Sequence, residues 1–269
     1  MSSLRVATWN INSVRLRAAL LADVVAQLAP DILCLQETKT PDEFFPHDAA
    51  EALGFTHRVV RGMKGYNGVA ILSRLPIALR PGEPDWCERG DCRHIGVDVQ
   101  HPSGPVELHD FYVPAGGDEP DREINPKFGH KLDFLAEVTR WQAGRGAARR
   151  AILVGDLNIA PLEQDVWSHK ALLKVVSHTP VEVAALAAWQ AAGDWIDAPR
   201  RFVPETEKLY SWWSYRAKDW AAADRGRRLD HVWVSQDLSD RLSGYEILKS
   251  ARGWAQASDH VPVLVDLAL

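Results

Sequence analysis

The sequence is short of cysteine, of long apolar runs and of net positive charge, and each shortage closes off a class of protein. Three cysteines in 269 residues (Cys34, Cys87 and Cys92) give no even disulfide framework. Cys34, inside Ile32-Leu33-Cys34-Leu35, reads as a small core residue. Cys87 and Cys92 flank a loop without the His and Cys partners of a closed zinc site. All three are expected to be reduced thiols in a cytoplasmic protein. No apolar run approaches the roughly 20 residues of a membrane span, so no membrane association is expected. The longest greasy segment, 181–189, contains Glu182 and suits a packed helix. Met1-Ser2-Ser3 runs straight into Leu4-Arg5-Val6-Ala7, with no charged and apolar leader of the secretory kind. There is no Ser/Pro-rich linker, which predicts one domain over 1–269. The net charge of −5 does not advertise a nucleic-acid binder.

What the chain does have is a repeated design in which a core strand ends on a polar residue. Gly155-Asp156-Leu157-Asn158 follows the apolar run Ala151-Ile152-Leu153-Val154. If the chain stays extended, Asp156 and Asn158 share one face. Buried unpaired, each would cost about 1–3 kcal/mol, so such a pair needs a reason. Asn10 and Asn12, Glu37, Asp230 and Asp259-His260 repeat the pattern, and hard oxygen ligands at five strand ends suggest one metal-centred site. Strands are predicted at 6–9, 31–36, 55–60, 69–72, 93–99, 106–113, 151–154, 228–234 and 261–267. Helices are predicted at 13–28 (Leu16, Leu20, Val24 and Leu28 inward), 130–142 and 181–192. Strands in both halves, with helices and hairpins between them, predict an α/β fold of two mixed sheets packed face to face, with helices outside.

Each candidate also has a plainer reading. Asn12 alone reads as a helix cap, whereas Asn10 ends its strand and is the better site residue. Glu37 could pair with Lys39, but a carboxylate closing an apolar strand suits a magnesium ligand better. Asp230 could fix the tautomer of His260, and an imidazolium so held could stabilise an anionic oxygen. Tyr112 is a half-buried sheet aromatic or a phenol aimed at a phosphate. The remaining histidines read as structural or surface residues. Arg216, Lys218, Arg225, Arg227 and Arg228 form a basic cluster interleaved with Trp212, Trp213, Tyr215 and Trp220. That mixture suits either a nucleic-acid contact or the edge of a Trp-rich core.

Taken together, Thr8-Trp9-Asn10-Ile11-Asn12, Leu35-Gln36-Glu37-Thr38-Lys39, Gly65-Tyr66-Asn67-Gly68-Val69-Ala70, Tyr112-Val113-Pro114, Gly155-Asp156-Leu157-Asn158, Arg228-Leu229-Asp230 and Ser258-Asp259-His260 resemble, in order and nearly end to end, the exonuclease III family of the endonuclease/exonuclease/phosphatase superfamily. Tyr210-Ser211-Trp212-Trp213-Ser214-Tyr215-Arg216 is similar to the DNA-facing loop of its repair nucleases. The resemblance implies a four-layer αββα sandwich, as in deoxyribonuclease I-like folds. It implies magnesium-dependent hydrolysis of double-stranded DNA at abasic sites or 3′ ends, with manganese as a substitute ion. The sequence shows no heptads and no obvious interface patch, so a monomer is expected. Carried over by position, Asn10, Glu37, Asp156, Asn158, Asp259 and His260 surround the metal, Glu37 and Asp259 foremost. Tyr112, Asp156, Asn158, Asp230 and His260 form the catalytic set. Lys39, Lys64, Tyr66, Arg93, Trp212, Arg216, Arg227 and Leu229 face DNA. Two positions depart from the family pattern. Ala115 stands where many relatives place Asn or Gln, and Arg227 where some carry an aromatic that closes a sugar pocket. The alternative reading is a phosphoesterase of the same superfamily acting on RNA or a small phosphate ester.

Overall fold

The computed structural model describes residues 3–269; Met1 and Ser2, where the reading of a missing leader begins, lie outside them. The strands, in chain order, are β1 (Ser3–Asn10), β2 (Ile32–Gln36), β3 (His57–Arg61), β4 (Val69–Ser73), β5 (Ile77–Leu79), β6 (His94–Val99), β7 (Val106–Tyr112), β8 (Ala151–Asp156), β9 (Ile196–Asp197), β10 (Trp212–Trp213), β11 (Gly226–Arg227), β12 (Asp230–Val234), β13 (Leu242–Ile247) and β14 (Val263–Ala268). They form two six-stranded mixed sheets, β13-β14-β1-β2-β4-β3 and β5-β6-β7-β8-β12-β9, with a small ribbon of β10 and β11.

Alternation along each strand builds the layers. In β1, Leu4 and Val6 point between the sheets while Ala7 and Trp9 point outward. In β8, Ile152 and Val154 point in, and Ala151 and Leu153 out. The inward set is a common core of β-branched and leucine side chains shared by both sheets. Leu21, Val24 and Leu28 of the helix Leu20–Leu28 cover the outer face of the first sheet. Phe134, Leu135 and Val138 of the helix Pro126–Arg145 and Leu186 and Trp189 of the helix Pro180–Ala192 cover that of the second. Helix, sheet, sheet, helix is the expected order of four layers.

The structure corrects the first predicted helix. It breaks at Ala18-Ala19 into Val14–Arg17 and Leu20–Leu28. Leu16 is 53% exposed. Arg17 turns inward instead, and its guanidinium donates to the carbonyls of Ile11, Asn12, Gln256 and Ala257. The edge strands β5 and β13 were not expected. Their burial is only partial, and so their sequences show no strong apolar alternation.

Candidate active site

Parallel pairing of β1 with β2 and of β7 with β8 brings four C-terminal strand ends to one edge of the sandwich. The antiparallel neighbours β12 and β14 begin at that same edge, with Asp230 level with Asp156. The topology therefore gathers Asn10, Glu37, Tyr112, Asp156, Asp230 and the 258–260 turn around one point.

Asn10, fully buried, donates through Nδ2 to Glu37 Oε1 at 2.8 Å and to Asp156 Oδ2 at 2.8 Å. Tyr112 donates its phenol to the same Glu37 oxygen at 2.9 Å, and Lys39 Nζ meets the other at 2.6 Å. Asp156 Oδ1 accepts the backbone N–H of Asn158 at 2.9 Å, and Oδ2 accepts the Asn158 amide at 3.1 Å. His260 pairs through Nδ1 with Asp230 Oδ2 at 2.8 Å and turns Nε2 towards Asp156 Oδ2 at 3.6 Å. Ser211 Oγ donates to Asp230 at 2.6 Å and accepts the N–H groups of Leu229 and Asp230. Asp259 accepts Trp212 Nε1 at 2.9 Å and Asn12 Nδ2 at 3.1 Å.

Asn12 is therefore no helix cap, as the sequence suggested. Its side chain bridges Asp259 to Lys39, whose Nζ donates to Asn12 Oδ1 at 2.6 Å. The backbone is strained here as well. Asn12, Glu37, Lys39 and Asn158 all have positive φ, a region non-glycine residues rarely adopt. Gly155 has a different reason to be glycine: a Cβ there would run into the Phe111 backbone of the neighbouring strand.

Burial lifts the Asp156 carboxyl to about 7; His260 opposes the rise and Asp230 adds to it. For His260, burial would favour the neutral ring, but Asp230 and Asp156 outweigh it and raise the imidazole to about 10. Glu37 is buried too, yet Lys39 and the Asn10 amide hold it below the usual carboxylate range. Burial and the Glu37 charge push the Tyr112 phenol well up, so it remains a donor. Four carboxylates (Glu37, Asp156, Asp230 and Asp259) thus outnumber the cations set against them, Lys39, His260 and, behind Asp156, Lys131. Asp230 Oδ1 is buried without a hydrogen-bond partner. The ligand atoms of Asp156, Asp230 and His260 lie within 4.8 Å of one another, an arrangement that can hold a metal ion. Surplus negative charge on hard oxygens fits a hard divalent cation.

Beside this centre opens a cleft of about 690 Å³ lined by Trp167, Trp212, Arg216, Arg227, Leu229 and His260, among others. Its wall is stitched to the centre: Trp213 N–H donates to Asp259 C=O at 2.9 Å and Val261 N–H to Ser211 C=O at 2.8 Å. Buried acids, a charged imidazole and a basic, aromatic cleft are the parts of a phosphoester-cleaving site. A model of the endonuclease/exonuclease/phosphatase family matches residues 7–260. The chain belongs to that family. Exodeoxyribonuclease III of Haemophilus influenzae is 32% identical over 95% of this chain and 97% of its own length. The structure of an AP endonuclease from Archaeoglobus fulgidus superposes with a TM-score of 0.87 at 27% identity, covering 99% of this chain and 100% of that one. A 3′ phosphatase from Neisseria, solved with a product DNA hairpin, also gives 0.87, at 28% identity and coverage of 98% and 99%. The two mixed sheets of this fold are those of its structural neighbours.

Within this family frame, several expected DNA-facing residues have further contacts. Arg93 stacks over the Tyr112 ring at 4.8 Å and donates to its carbonyl at 3.3 Å, so it braces the tyrosine. Lys64 and Tyr66 sit exposed on a loop tied to Lys39 by the Lys39 N–H to Asn67 C=O bond of 2.9 Å. The basic cluster splits. Arg228 is not surface at all, but is 1% exposed and ion-paired with Asp165 and Asp197. Trp213 is buried and Trp212 half-buried, so the segment is core edge and cleft wall at once.

Sequence reasoning missed two supports. Lys131, fully buried, donates to the Asn158 carbonyl at 2.8 Å and pairs with buried Glu182 at 2.5 Å. It lies on a helix, where a lysine reads as solvated. Ser211 carries no signal beyond its place in the Trp-rich segment.

Proposed function

We infer that this cleft hydrolyses phosphodiester bonds in double-stranded DNA, 5′ to abasic sites and at 3′ ends, with magnesium as the natural ion and manganese as a substitute. The chain is a DNA-repair nuclease of the exodeoxyribonuclease III type. The observation that carries the reading is His260 in the wall of a basic, aromatic cleft, held by Asp230 and facing the buried Asp156.

Glu37 and Asp259, with Asn10, Asp156 and Asn158 around them, would hold the cation, which when bound supplies Lewis acidity at the phosphoryl group; His260, charged and bonded to Asp230, has no lone pair free for it and serves as a donor instead. Asp156 takes the proton of the attacking water. Burial raises its carboxyl, which suits a proton acceptor, and the Asn10 side-chain amide and the Asn158 N–H, both donating to it, keep it oriented. Asn158 positions the water. Tyr112 and His260 donate to the non-bridging oxygens, which are more negative in the transition state than in the ground state. Trp212 and Leu229 line the space 3′ of the scissile bond, while Lys39, Lys64, Tyr66, Arg93 and Arg216 neutralise or contact the backbone. The work is done by a monomeric single domain in the cytoplasm, a setting that three free thiols suit. Among the described residues no helix is long and apolar enough to cross a membrane.

The test uses three duplexes: a synthetic abasic site, a recessed 3′ end and a 3′-phosphate. Cleavage should require a divalent ion and stop with chelator. Asp156→Asn should bind DNA nearly as the parent does while kcat falls roughly 10²–10⁴-fold. Undiminished cleavage by that variant would remove Asp156 from the chemistry.

A further inference from the structure

Two adjacent arginines meet opposite fates in this fold. Arg228 is saturated, with Asp165 on one side of its guanidinium and Asp197 on the other. Arg227, one residue earlier, lines the cleft and has no carboxylate within 4 Å among the described residues. Only its Nη1 is held, by the Val176 carbonyl at 3.0 Å and Ser177 Oγ at 2.8 Å. Its guanidinium lies over the Trp212 ring at 5.2 Å, and its Nε is buried with no hydrogen-bond partner. The surrounding wall is apolar: Val176, Leu229 and the face of Trp212. Asp118 also lines the cleft, and Glu182 acts on Arg227 from behind but is already paired with Lys131 at 2.5 Å; neither forms an ion pair with Arg227 among the described residues. A partly buried cation with an idle donor and low-dielectric walls is costly unless an anion joins it. Planar guanidinium donors favour carboxylate and phosphate. The position is also fixed, because the 176–179 turn that grips Arg227 is tied down by Glu182, which accepts the N–H groups of Ser177 and Thr179.

We propose that Arg227 makes the part of the cleft beyond the scissile phosphate an anion subsite, so that 3′-terminal groups bearing a carboxylate or phosphate are released in preference to neutral ones. The proposal rests on the nuclease reading of the neighbouring centre. The chemistry is ordinary hydrolysis. The water oxygen bonds to phosphorus, the bond from phosphorus to O3′ breaks, and O3′ takes a proton. The duplex is left with a 3′-hydroxyl, and the terminal group departs as its phosphate monoester. Arg227 would contact that departing group, not the bond being broken.

The experiment compares matched duplexes in two arms. In the first, the 3′-phosphodiester ends in carboxymethyl or in neutral 2-hydroxyethyl. In the second, a terminal tetrahydrofuran carries or lacks its own 3′-phosphate. The anionic member of at least one arm should show a kcat/KM advantage of roughly tenfold or more. The arm that shows it identifies the preferred anion. Arg227→Gln should bring the ratio close to one, and Arg227→Lys should keep part of it. Equilibrium titration of the same duplexes in chelator should give the same ranking of affinities. If all four duplexes are hydrolysed with no charge preference, the subsite is overturned and the nuclease reading survives. Equal losses on charged and neutral members in Arg227→Gln, with the ratio intact, would also overturn it. Hydrolysis of none of the four would overturn both.

Discussion

Strand β7 carries a carboxylate–imidazole pair on its outer face, and the active-site edge carries another, yet the two behave oppositely. At the edge, His260 meets Asp230 at 2.8 Å. On the outer face of β7, His109 meets Glu107 at 2.5 Å, and its other nitrogen meets His94 at 2.9 Å. All three imidazoles are buried. His260 is nonetheless raised to about 10, whereas His109 and His94 are lowered, chiefly by burial. Hydrogen-bond length does not decide this; the charge of the surroundings does. His260 has Asp156 and Asp259 near it in addition to Asp230. Glu107 must share its charge with Arg145 and Arg80, so little is left to hold a proton on His109. His94 then stacks flat on Phe111, at 3.9 Å between ring centres, as a neutral aromatic. A His beside an acid is thus no catalytic signature by itself. A surplus of acids around it is.

The comparison can be broken most forcefully at Asp230. Asp230→Asn should leave His260 with less reason to stay charged and cut kcat roughly 10²-fold, measured with metal saturating. The corresponding Glu107→Gln should leave kcat close to parental. NMR titration of side-chain imidazoles in the metal-free protein should find His260 protonated at pH 8 and His109 titrating below the ordinary histidine range. The reverse order would sink the comparison.

A second break is structural. Lys131→Met leaves Glu182 buried and unpaired and frees the Asn158 carbonyl, which should cost about 3–5 kcal/mol, read by denaturant unfolding. Loss of kcat should accompany it, because Asn158 loses its anchor.

A third effect is on stability against pH. His231 is buried beside Arg228 and is pushed down to about 4, so it is neutral when folded. Its contribution is complete above the unfolded value near 6.5 and is lost as pH falls from there towards 4, about 3 kcal/mol in all. His94 and His109 act in the same direction. His260 acts in the opposite one: its contribution is full below pH 6.5 and disappears as pH rises through about 10. Asp156, raised to about 7, acts with His260 and against His231: its contribution is full below the unfolded value of about 4 and is lost as pH rises through about 7. The share of His231 is therefore read as the difference between the parent and His231→Asn in urea unfolding of the metal-free protein, and a difference independent of pH from 6.5 to 4 would contradict the neutral-histidine assignment.

Legibility in the sequence followed the physics of each element. Fully buried strands such as Ala151–Asp156 and Ile32–Gln36 are continuous apolar runs, and a polar residue closing one stands out. The family motifs carried the gathered residues across long separations that periodicity cannot bridge, such as Asn10 with Asp156. What stayed hidden depends on partners supplied by the fold. Arg17 and Lys131 look like surface charges until the carbonyls they serve come together. Arg228 looked like part of a basic patch because Asp165 and Asp197 lie far from it in sequence. Asn12 resembled a cap because its partner Asp259 enters from the other end of the chain.

The antiparallel bridge between Trp212 and His260, hydrogen-bonded on either side, makes the Trp-rich wall and the acidic centre one piece. A group seated against Trp212 is therefore held in register with His260 and Asp259, and a duplex that has to bend or unstack to reach them does so at a cost set by its own deformability.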